Sequence, residues 1–226
     1  MNRRGSYSQR VFPATVEFTS CLEQLRQDGV RKMLGFLWAG YDKLKSDVIE
    51  NNAEPTRDDA DLERDLTELL YPHVLKAMVA DLPYYFQHEK KEREPAVPGA
   101  QPPEPDLSFV FFANPRITFP IDSKVVEKDR PSDVTDYVDT VNGRFIACVY
   151  APFSTQGAMV AFFLAGSVKT HLKNVGAGLG VPLSRAWYIK GRYHKTSAHD
   201  RIATACHHKQ FTCHHLVMPV GSAVSA

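Results

Sequence analysis

The change of hydrophobic period near the middle of the chain limits the fold most strongly. Up to about residue 80, apolar residues recur at helical spacing, as in the run from Leu62 to Leu70. From Leu107 onward the pattern becomes extended, because "LSFVFFA" and "RITFPIDSKVV" are rich in Phe, Ile, Val and Thr and are separated by an Asn-Pro turn signal. The sequence therefore predicts an amphipathic helix followed by two adjacent antiparallel strands.

The two predicted strands carry an acid at matching positions. Asp106 lies eight positions before Asn114, and Asp122 lies seven positions after Pro115. If the strands pair about that turn, the two carboxylates meet at one end of the hairpin. Neighbouring carboxylates repel each other and resist burial, and a divalent cation removes that repulsion. A hairpin with charged, solvated ends is the simpler alternative.

A lysine completes the acidic pattern. Lys124 lies two residues after Asp122, and the period of two in a strand places both side chains on one face. The intervening Ser123 points the other way and leaves its backbone carbonyl beside them. Carboxylates and a carbonyl are ligands for Mg²⁺, and an ammonium offsets the charge that develops on a phosphodiester under attack.

These residues resemble the motif of the PD-(D/E)xK nuclease superfamily, in the form Pro105-Asp106 and Asp122-Ser123-Lys124. The resemblance implies a restriction-endonuclease-like fold, an α/β fold with a mixed central sheet flanked by helices, here with extra N-terminal helices. It also implies that the two acids bind Mg²⁺ (or Mn²⁺) and that the lysine positions or activates the attacking water. Cleavage in that family leaves a 5′-phosphate and a 3′-hydroxyl.

Many members of the superfamily add a glutamate from the preceding helix to the metal site. At 100° per residue, Glu63 lies about 60° from Leu66 at the centre of the apolar stripe, whereas Glu68 lies about 160° away. Glu63 is therefore the candidate, with a solvated position on the helix flank as the alternative. The run "ERDLT" also resembles the Glu and Thr pattern on this helix in some restriction-like nucleases.

The elements after the hairpin continue the order that the resemblance implies. "PSDVTDYVDTV" predicts a short helix and "GRFIACVYAPF" a strand, which completes the order helix, strand, strand, helix, strand over roughly residues 61–153. "GAMVAFFLAG" is a buried element, helix or strand. "VKTHLKNVGAGLGV" predicts a short basic helix that ends at glycines.

Charge divides the chain into an acidic and a basic part. Residues 1–140 contain 18 Lys and Arg against 25 Asp and Glu, whereas residues 141–226 contain nine against one. Clustered basic residues supply the sequence-independent part of nucleic-acid binding, although a solvated basic face explains them as well. "YHKTSAHDR" also resembles a Ser-x-His-x-Arg run of some restriction-like defence nucleases. The residues assigned to nucleic-acid binding are Arg192, Lys195, His199 and Arg201.

Length and composition predict one domain. We expect a flexible N-terminal tail at residues 1–17 and a single nuclease-like domain at 18–226 with a mobile, charged and proline-rich insertion at about 88–104.

Four scattered cysteines favour a reducing compartment, and no apolar run is long enough for a membrane span, so a cytoplasmic location is predicted. A homodimer or a partner protein that supplies targeting is compatible with the sequence.

The stretch "CHHKQFTCHHL" from Cys206 raises a separate alternative, because Cys and His are zinc ligands. Its spacing fits no familiar zinc site, since adjacent histidines on a strand point to opposite faces.

The predicted function is Mg²⁺-dependent cleavage of nucleic acid, DNA rather than RNA, in restriction, phage defence or repair. The alternatives are a catalytically silent nucleic-acid-binding subunit and a zinc-stabilised interaction domain.

Overall fold

The computed structural model describes residues 28–49, 59–91, 102–127, 130–185, 189, 191–202 and 206–225. Four α-helices are present in these ranges: α1 (Val30–Leu44), α2 (Asp59–Ala77), α3 (Pro131–Thr140) and α4 (Val168–Leu179). A π-helical segment follows α1 at Lys45–Ile49 and another follows α3 at Val141–Ile146. The predicted tail at 1–17 lies outside the described residues, as does most of the predicted insertion at 88–104.

The described residues form one seven-stranded sheet with the order β1-β2-β3-β4-β7-β6-β5. The strands are β1 (Tyr84–His88), β2 (Leu107–Phe111), β3 (Thr118–Val126), β4 (Gln156–Ser167), β5 (Ser184–Arg185), β6 (His194–Asp200) and β7 (Gln210–Ser225). The pairs β3–β4 and β4–β7 are parallel, and the remaining pairs are antiparallel. The protein is therefore of mixed α/β class, with an open mixed sheet and flanking helices.

The predicted hairpin is confirmed. Strands β2 and β3 pair antiparallel, with Leu107 opposite Ile121 and Val110 opposite Thr118. This register brings Asp106, which precedes β2, beside the middle of β3. The amphipathic helix is confirmed as α2, which continues through Pro72.

Both faces of the sheet are covered by helices. Alternate residues of β4 enter different cores: Val160 and Phe162 pack with α1 and α2, whereas Met159 and Ala161 pack with α3 and α4. The sequence of a strand that is buried on both faces is a continuous run of apolar residues. This is why the hydrophobic period of "GAMVAFFLAG" could not separate helix from strand.

Two elements differ from the prediction. The strand predicted in "GRFIACVYAPF" is wrong: the chain continues from α3 into the π-helical segment and then into turns, with positive φ at Cys148 and Ala151. The buried Phe145, which packs against Tyr150 and Phe211, accounts for the apolar character that suggested a strand. The strand that completes the predicted order is instead β4. Strand β1 was not predicted, although its aromatic run is typical of strands.

One disulfide is present among the described cysteines. Cys148 is bonded to Cys206, with the Cα atoms 5.6 Å apart, and Cys213 is a buried free thiol. The bond is at odds with the expectation of a chain in a reducing compartment, because disulfides persist mainly in oxidising surroundings. The cytoplasmic location stays a prediction. In the described ranges no helix is both long and apolar enough to cross a bilayer.

The contact between α1 and α2 gives a first testable prediction. A Cβ atom on Gly40 would lie 2.8 Å from the backbone nitrogen of Val74, whereas one on Gly35, in the same helix, would meet nothing within 4 Å. We expect Gly40→Ala to lower the free energy of unfolding by about 1–3 kcal/mol through overpacking. Gly35→Ala is the matched control and should raise it by roughly 1 kcal/mol through helix propensity. Urea denaturation of both variants tests this, and equal effects would contradict the close packing of α1 on α2.

Candidate active site

The hairpin brings the two predicted acids to the same place. Asp106 lies at the entry to β2, and its Oδ2 accepts a hydrogen bond of 2.7 Å from the backbone nitrogen of Ser123 on β3. The hydroxyl of Ser123 donates to the same oxygen. Asp122 is the adjacent residue, and its carboxylate is almost fully buried. The predicted meeting of Asp106 and Asp122 at one end of the hairpin is thus present.

Lys124 lies beside Asp122, as its position two residues later in the strand predicts, and it also contacts Glu63. Its Nζ is 3.6 Å from Asp122 Oδ1 and 2.7 Å from Glu63 Oε1. It also donates a hydrogen bond of 2.9 Å to the carbonyl oxygen of Ser123. One ammonium therefore contacts two carboxylates and the backbone oxygen that the sequence placed beside it.

Helix α2 supplies Glu63 to this cluster. Besides its ion pair with Lys124, Glu63 accepts a hydrogen bond of 3.3 Å from the backbone nitrogen of Val125. Thr67, one turn later, donates to the Glu63 carbonyl oxygen at 2.7 Å and lies 2.7 Å from the Ser123 hydroxyl. Glu68 pairs instead with Arg64 on the exposed side of the helix. The predicted difference in orientation between Glu63 and Glu68 is confirmed.

Burial and crowding of like charges perturb the acidic cluster. Burial, together with the nearby charge of Asp106, raises the pKa of Asp122 to about 7, although the Lys124 ammonium and a hydrogen bond from Tyr150 act in the opposite direction. Burial alone lowers the pKa of Lys124, but the surrounding carboxylates of Asp122 and Glu63 outweigh it, and the pKa is raised. The lysine therefore stays protonated at neutral pH, while Asp122 has an unfavourable negative charge.

Two features of the cluster were missed at the level of sequence. The Tyr150 hydroxyl lies near enough to Asp122 to influence its pKa, and it donates its hydrogen bond of 3.0 Å to the Glu104 carbonyl oxygen. Burial raises the pKa of this tyrosine. Tyr150 lies in the turns that replace the predicted strand, so no periodic pattern could place it. The Ser123 side chain was expected to point away, yet it joins Asp106 to Thr67.

The oxygen atoms of the acidic cluster are of the type that binds a hard divalent cation. Asp106, Asp122 and Glu63 carry three carboxylates against one ammonium, and the Ser123 carbonyl adds a neutral oxygen. Such oxygen donors are those preferred by Mg²⁺. In the part of the chain that the structure describes, however, no group of three or more His, Cys, Asp and Glu residues is arranged to hold a metal ion. Glu63 and Asp122 instead pair with Lys124, and Asp106 accepts hydrogen bonds from Ser123.

The four basic residues assigned to nucleic-acid binding do not form one surface. The guanidinium of Arg192 pairs with Asp42 and lies 5.0 Å from the centre of the Trp38 ring. Arg201 is only 1 % exposed, donates to the carbonyl oxygens of Ala151 and Ser154, and lies over the Phe211 ring. His199 is buried as well, whereas Lys195 is partly exposed.

Buried histidines instead form a polar network on the face of the sheet that α3 and α4 cover. His215 Nδ1 lies 2.9 Å from the Tyr137 hydroxyl, and its Nε2 lies 2.7 Å from Ser197 Oγ. Ser197 Oγ lies 2.6 Å from His199 Nε2. Burial lowers the pKa of His215 to about 3, so the ring is neutral at physiological pH. These side chains satisfy one another inside the core.

The cysteines and histidines of the C-terminal stretch do not converge as zinc ligands. His214 and His215 point to opposite faces of β7, as predicted: His214 contacts His194 and Gln156, whereas His215 contacts the Tyr137 network. Cys206 is bonded to Cys148. No zinc-ligand group is found in the described ranges, and nothing there supports the alternative of a zinc-stabilised domain.

Comparisons with known proteins give no likeness for this chain. No family model, no curated protein and no solved structure matches it. An assignment of function therefore depends on the acidic cluster itself, on the element order around it and on the charge of the chain.

Proposed function

We propose that this protein is a metal-dependent nuclease of the PD-(D/E)xK type that hydrolyses phosphodiester bonds of nucleic acid, DNA rather than RNA. The observation that carries the proposal is the convergence of Asp106, Asp122, Lys124 and Glu63 from three separate elements at one partly buried position. The order helix, three antiparallel strands, helix, strand, with the last strand parallel to β3, supports the restriction-endonuclease-like fold. Restriction, phage defence and repair are the settings in which such an activity is used.

Asp106 and Asp122 are the residues that would hold Mg²⁺ or Mn²⁺, with the Ser123 carbonyl and Glu63 as supporting donors. The raised pKa of Asp122 supports this role, because one ammonium does not offset the charge of the nearby carboxylates. When bound, such an ion neutralises charge on the phosphodiester and makes water a stronger nucleophile.

The remaining residues of the cluster have roles that follow from their contacts. Lys124 stays an ammonium, so it is suited to orient a water molecule and to stabilise the charge that builds up on the phosphate. The hydroxyl and backbone nitrogen of Ser123 hold Asp106 in place, and the Thr67 hydroxyl, which donates to the Glu63 carbonyl oxygen, lies 2.7 Å from Ser123 Oγ. Tyr150 is a positioning residue for Asp122.

A cleavage assay tests the proposal directly. The purified protein is incubated with supercoiled plasmid, single-stranded DNA and RNA, with Mg²⁺ or Mn²⁺ and in parallel with chelator. We expect chelator-sensitive nicking or cutting that leaves 5′-phosphate ends. The absence of cleavage on all three substrates, with protein that binds them, would overturn the proposal.

A catalytically silent nucleic-acid-binding subunit is the second candidate. It is favoured by one observation: Lys124 already pairs with Glu63 and Asp122, and the described acidic residues are not arranged as a metal site. Such a protein would bind nucleic acid with the same affinity in Mg²⁺ and in chelator and would cut none of it.

The location of the basic residues predicts which of them bind the polyanion. Lys169, Lys173 and Lys195 surround one groove of 620 Å³ between α4 and the β5–β6 edge of the sheet. Neutralising all three should weaken DNA binding and lower the slope of log affinity against log salt by up to about 3, since each phosphate contact contributes about 0.9. Fluorescence anisotropy at several salt concentrations measures this.

The matched control neutralises three lysines on the opposite helical layer. Lys32, Lys43 and Lys76 are exposed on α1 and α2, in the acidic part of the chain. Their replacement should leave the salt slope unchanged. An equal loss from both sets would show that binding follows net charge alone and has no preferred face.

A further inference from the structure

A second cavity lies beyond the acidic cluster on the same strand. It has a volume of about 420 Å³, within the range of small-molecule sites, and it lies between the C-terminal ends of β3 and β4 and the first turns of α3 and α4. Val126 lines it and shares the face of β3 that carries Asp122 and Lys124. Four residues at about 3.3 Å each place Val126 about 13 Å along the strand from Asp122.

Two helix N-termini border this cavity. Arg130 and Pro131 line it at the start of α3, which has ten residues, and Ser167 and Thr170 line it at the start of α4, which has twelve. Backbone N–H groups and the helix dipole make such ends favourable for phosphate. The first turn of α4 contains no acidic residue, and its Thr170 N–H donates to the Ser167 hydroxyl. The first turn of α3 is less favourable for an anion, because it begins with Pro131, which has no N–H, and contains Asp133. Arg130 adds a guanidinium that pairs with Glu127 at 2.8 Å.

A buried histidine in the wall of the cavity supplies an independent indication of a ligand. His171 is 5 % exposed, and neither of its ring nitrogens has a hydrogen-bond partner among the described residues. Its surroundings are the rings of Tyr137 and Phe163. Buried polar groups without a partner are rare and unfavourable. A ligand with a polar edge would supply the hydrogen-bond partner that the His171 ring lacks among the described residues.

The remaining walls combine an aromatic ring with an amide. Phe163 lines one side, and Asn174, one turn after Thr170 on α4, lines another. Nucleobases stack on aromatic rings and are read on their polar edges by amide and hydroxyl groups. An amide, hydroxyl groups and a helix N-terminus are thus gathered in one space, with the almost fully buried ring of Phe163 in its wall.

We infer that this cavity binds one nucleotide of the substrate strand, with its base beside Asn174 and the unpartnered ring of His171 and a phosphate at the N-terminus of α4. This inference rests on the proposed function and adds a substrate class to it. A nucleotide held there must be unpaired, so the substrate is a single strand, a strand end or a duplex from which one base is extruded.

The experiment measures nucleotide binding without cleavage. The full chain is titrated in chelator with each of the four 2′-deoxynucleoside 5′-monophosphates and with inorganic phosphate, and binding is measured by isothermal titration calorimetry. We expect at least one nucleotide to bind more tightly than phosphate. Asn174→Leu replaces the amide by an apolar group of the same shape and should weaken that binding about tenfold or more, and Thr170→Val, which removes a hydroxyl, should weaken it as well. The matched control Asn142→Leu changes an exposed asparagine outside the cavity and should leave it unchanged.

The outcomes separate this inference from the proposed nuclease activity. Nucleotide binding that is lost in Asn174→Leu and retained in Asp122→Asn supports the site, whether or not the protein cuts nucleic acid. Absence of nucleotide binding, phosphate binding of equal strength, or equal binding by Asn174→Leu and the wild type would overturn it, even if metal-dependent cleavage is observed.

Discussion

Replacing Asp122 with asparagine should reduce Mg²⁺-dependent cleavage by at least about 1,000-fold, the order of loss expected when a central electrostatic group of an active site is removed. Lys124→Met should cause a similar loss for a different reason. An ammonium is no metal ligand, so Lys124→Met should retain Mn²⁺ binding, whereas Asp122→Asn should lose it. Single-turnover cleavage and calorimetric titration with Mn²⁺ distinguish the two variants.

Controls on α2 sharpen this test. Glu63→Gln should lower the rate less than Asp122→Asn, because Glu63 contacts the cluster through Lys124 and the Val125 backbone. Glu68→Gln is the matched control, since this glutamate lies five residues later on the exposed side of the helix. It should cut like the wild type. If Asp122→Asn and Lys124→Met both cut at the wild-type rate in a chelator-sensitive assay, the catalytic centre is elsewhere.

The acidic cluster could be predicted because its geometry depends on local rules. A strand period of two places Asp122 and Lys124 on one face, and a single turn sets the register that brings Asp106 to them. The helical period selects Glu63 over Glu68. Each step uses residues close in sequence or paired across one turn, and the structure reproduces all three placements.

The parts that could not be predicted depend on tertiary contacts. The apolar residues around Phe145 lie in a π-helical segment and in turns, from which they pack into the core. Their intrinsic propensity alone predicts a strand. The disulfide between Cys148 and Cys206 joins positions 58 residues apart, so spacing gave no sign of it. The burial of His199 and Arg201 likewise follows from the pairing of β6 with β7 and from contacts to the Ala151 turn. Charge in a sequence shows which residues can bind a polyanion but not which of them reach the surface.

The second large effect concerns the pH dependence of the free energy of unfolding. It tests the electrostatic repulsion in the acidic cluster without any substrate. The pKa of Asp122 is raised from its ordinary value of 3.8 to about 7 in the folded protein. Between these two values the folded state therefore binds more protons than the unfolded state, and its stability falls as the pH rises. In chelator at pH 8 the ionised carboxylate should lower the free energy of unfolding by roughly 2–4 kcal/mol, since each pKa unit corresponds to about 1.4 kcal/mol. Asp122→Asn should remove this penalty and be the more stable protein at pH 8.

The difference between the two stability curves isolates this one group. His171, His194 and His215 have pKa values lowered by burial, so they destabilise the fold as the pH falls below about 6.5, but they do so in both proteins. Urea denaturation from pH 4 to pH 8 should therefore show the advantage of Asp122→Asn growing between pH 4 and pH 7 and levelling off above. Excess Mg²⁺ should stabilise the wild type most at high pH and leave the variant unaffected, because a cation offsets the repulsion only where the carboxylate is charged. A wild type that is as stable as Asp122→Asn at pH 8 in chelator would mean that Lys124 alone neutralises the cluster, and the charge argument for a metal site would fail.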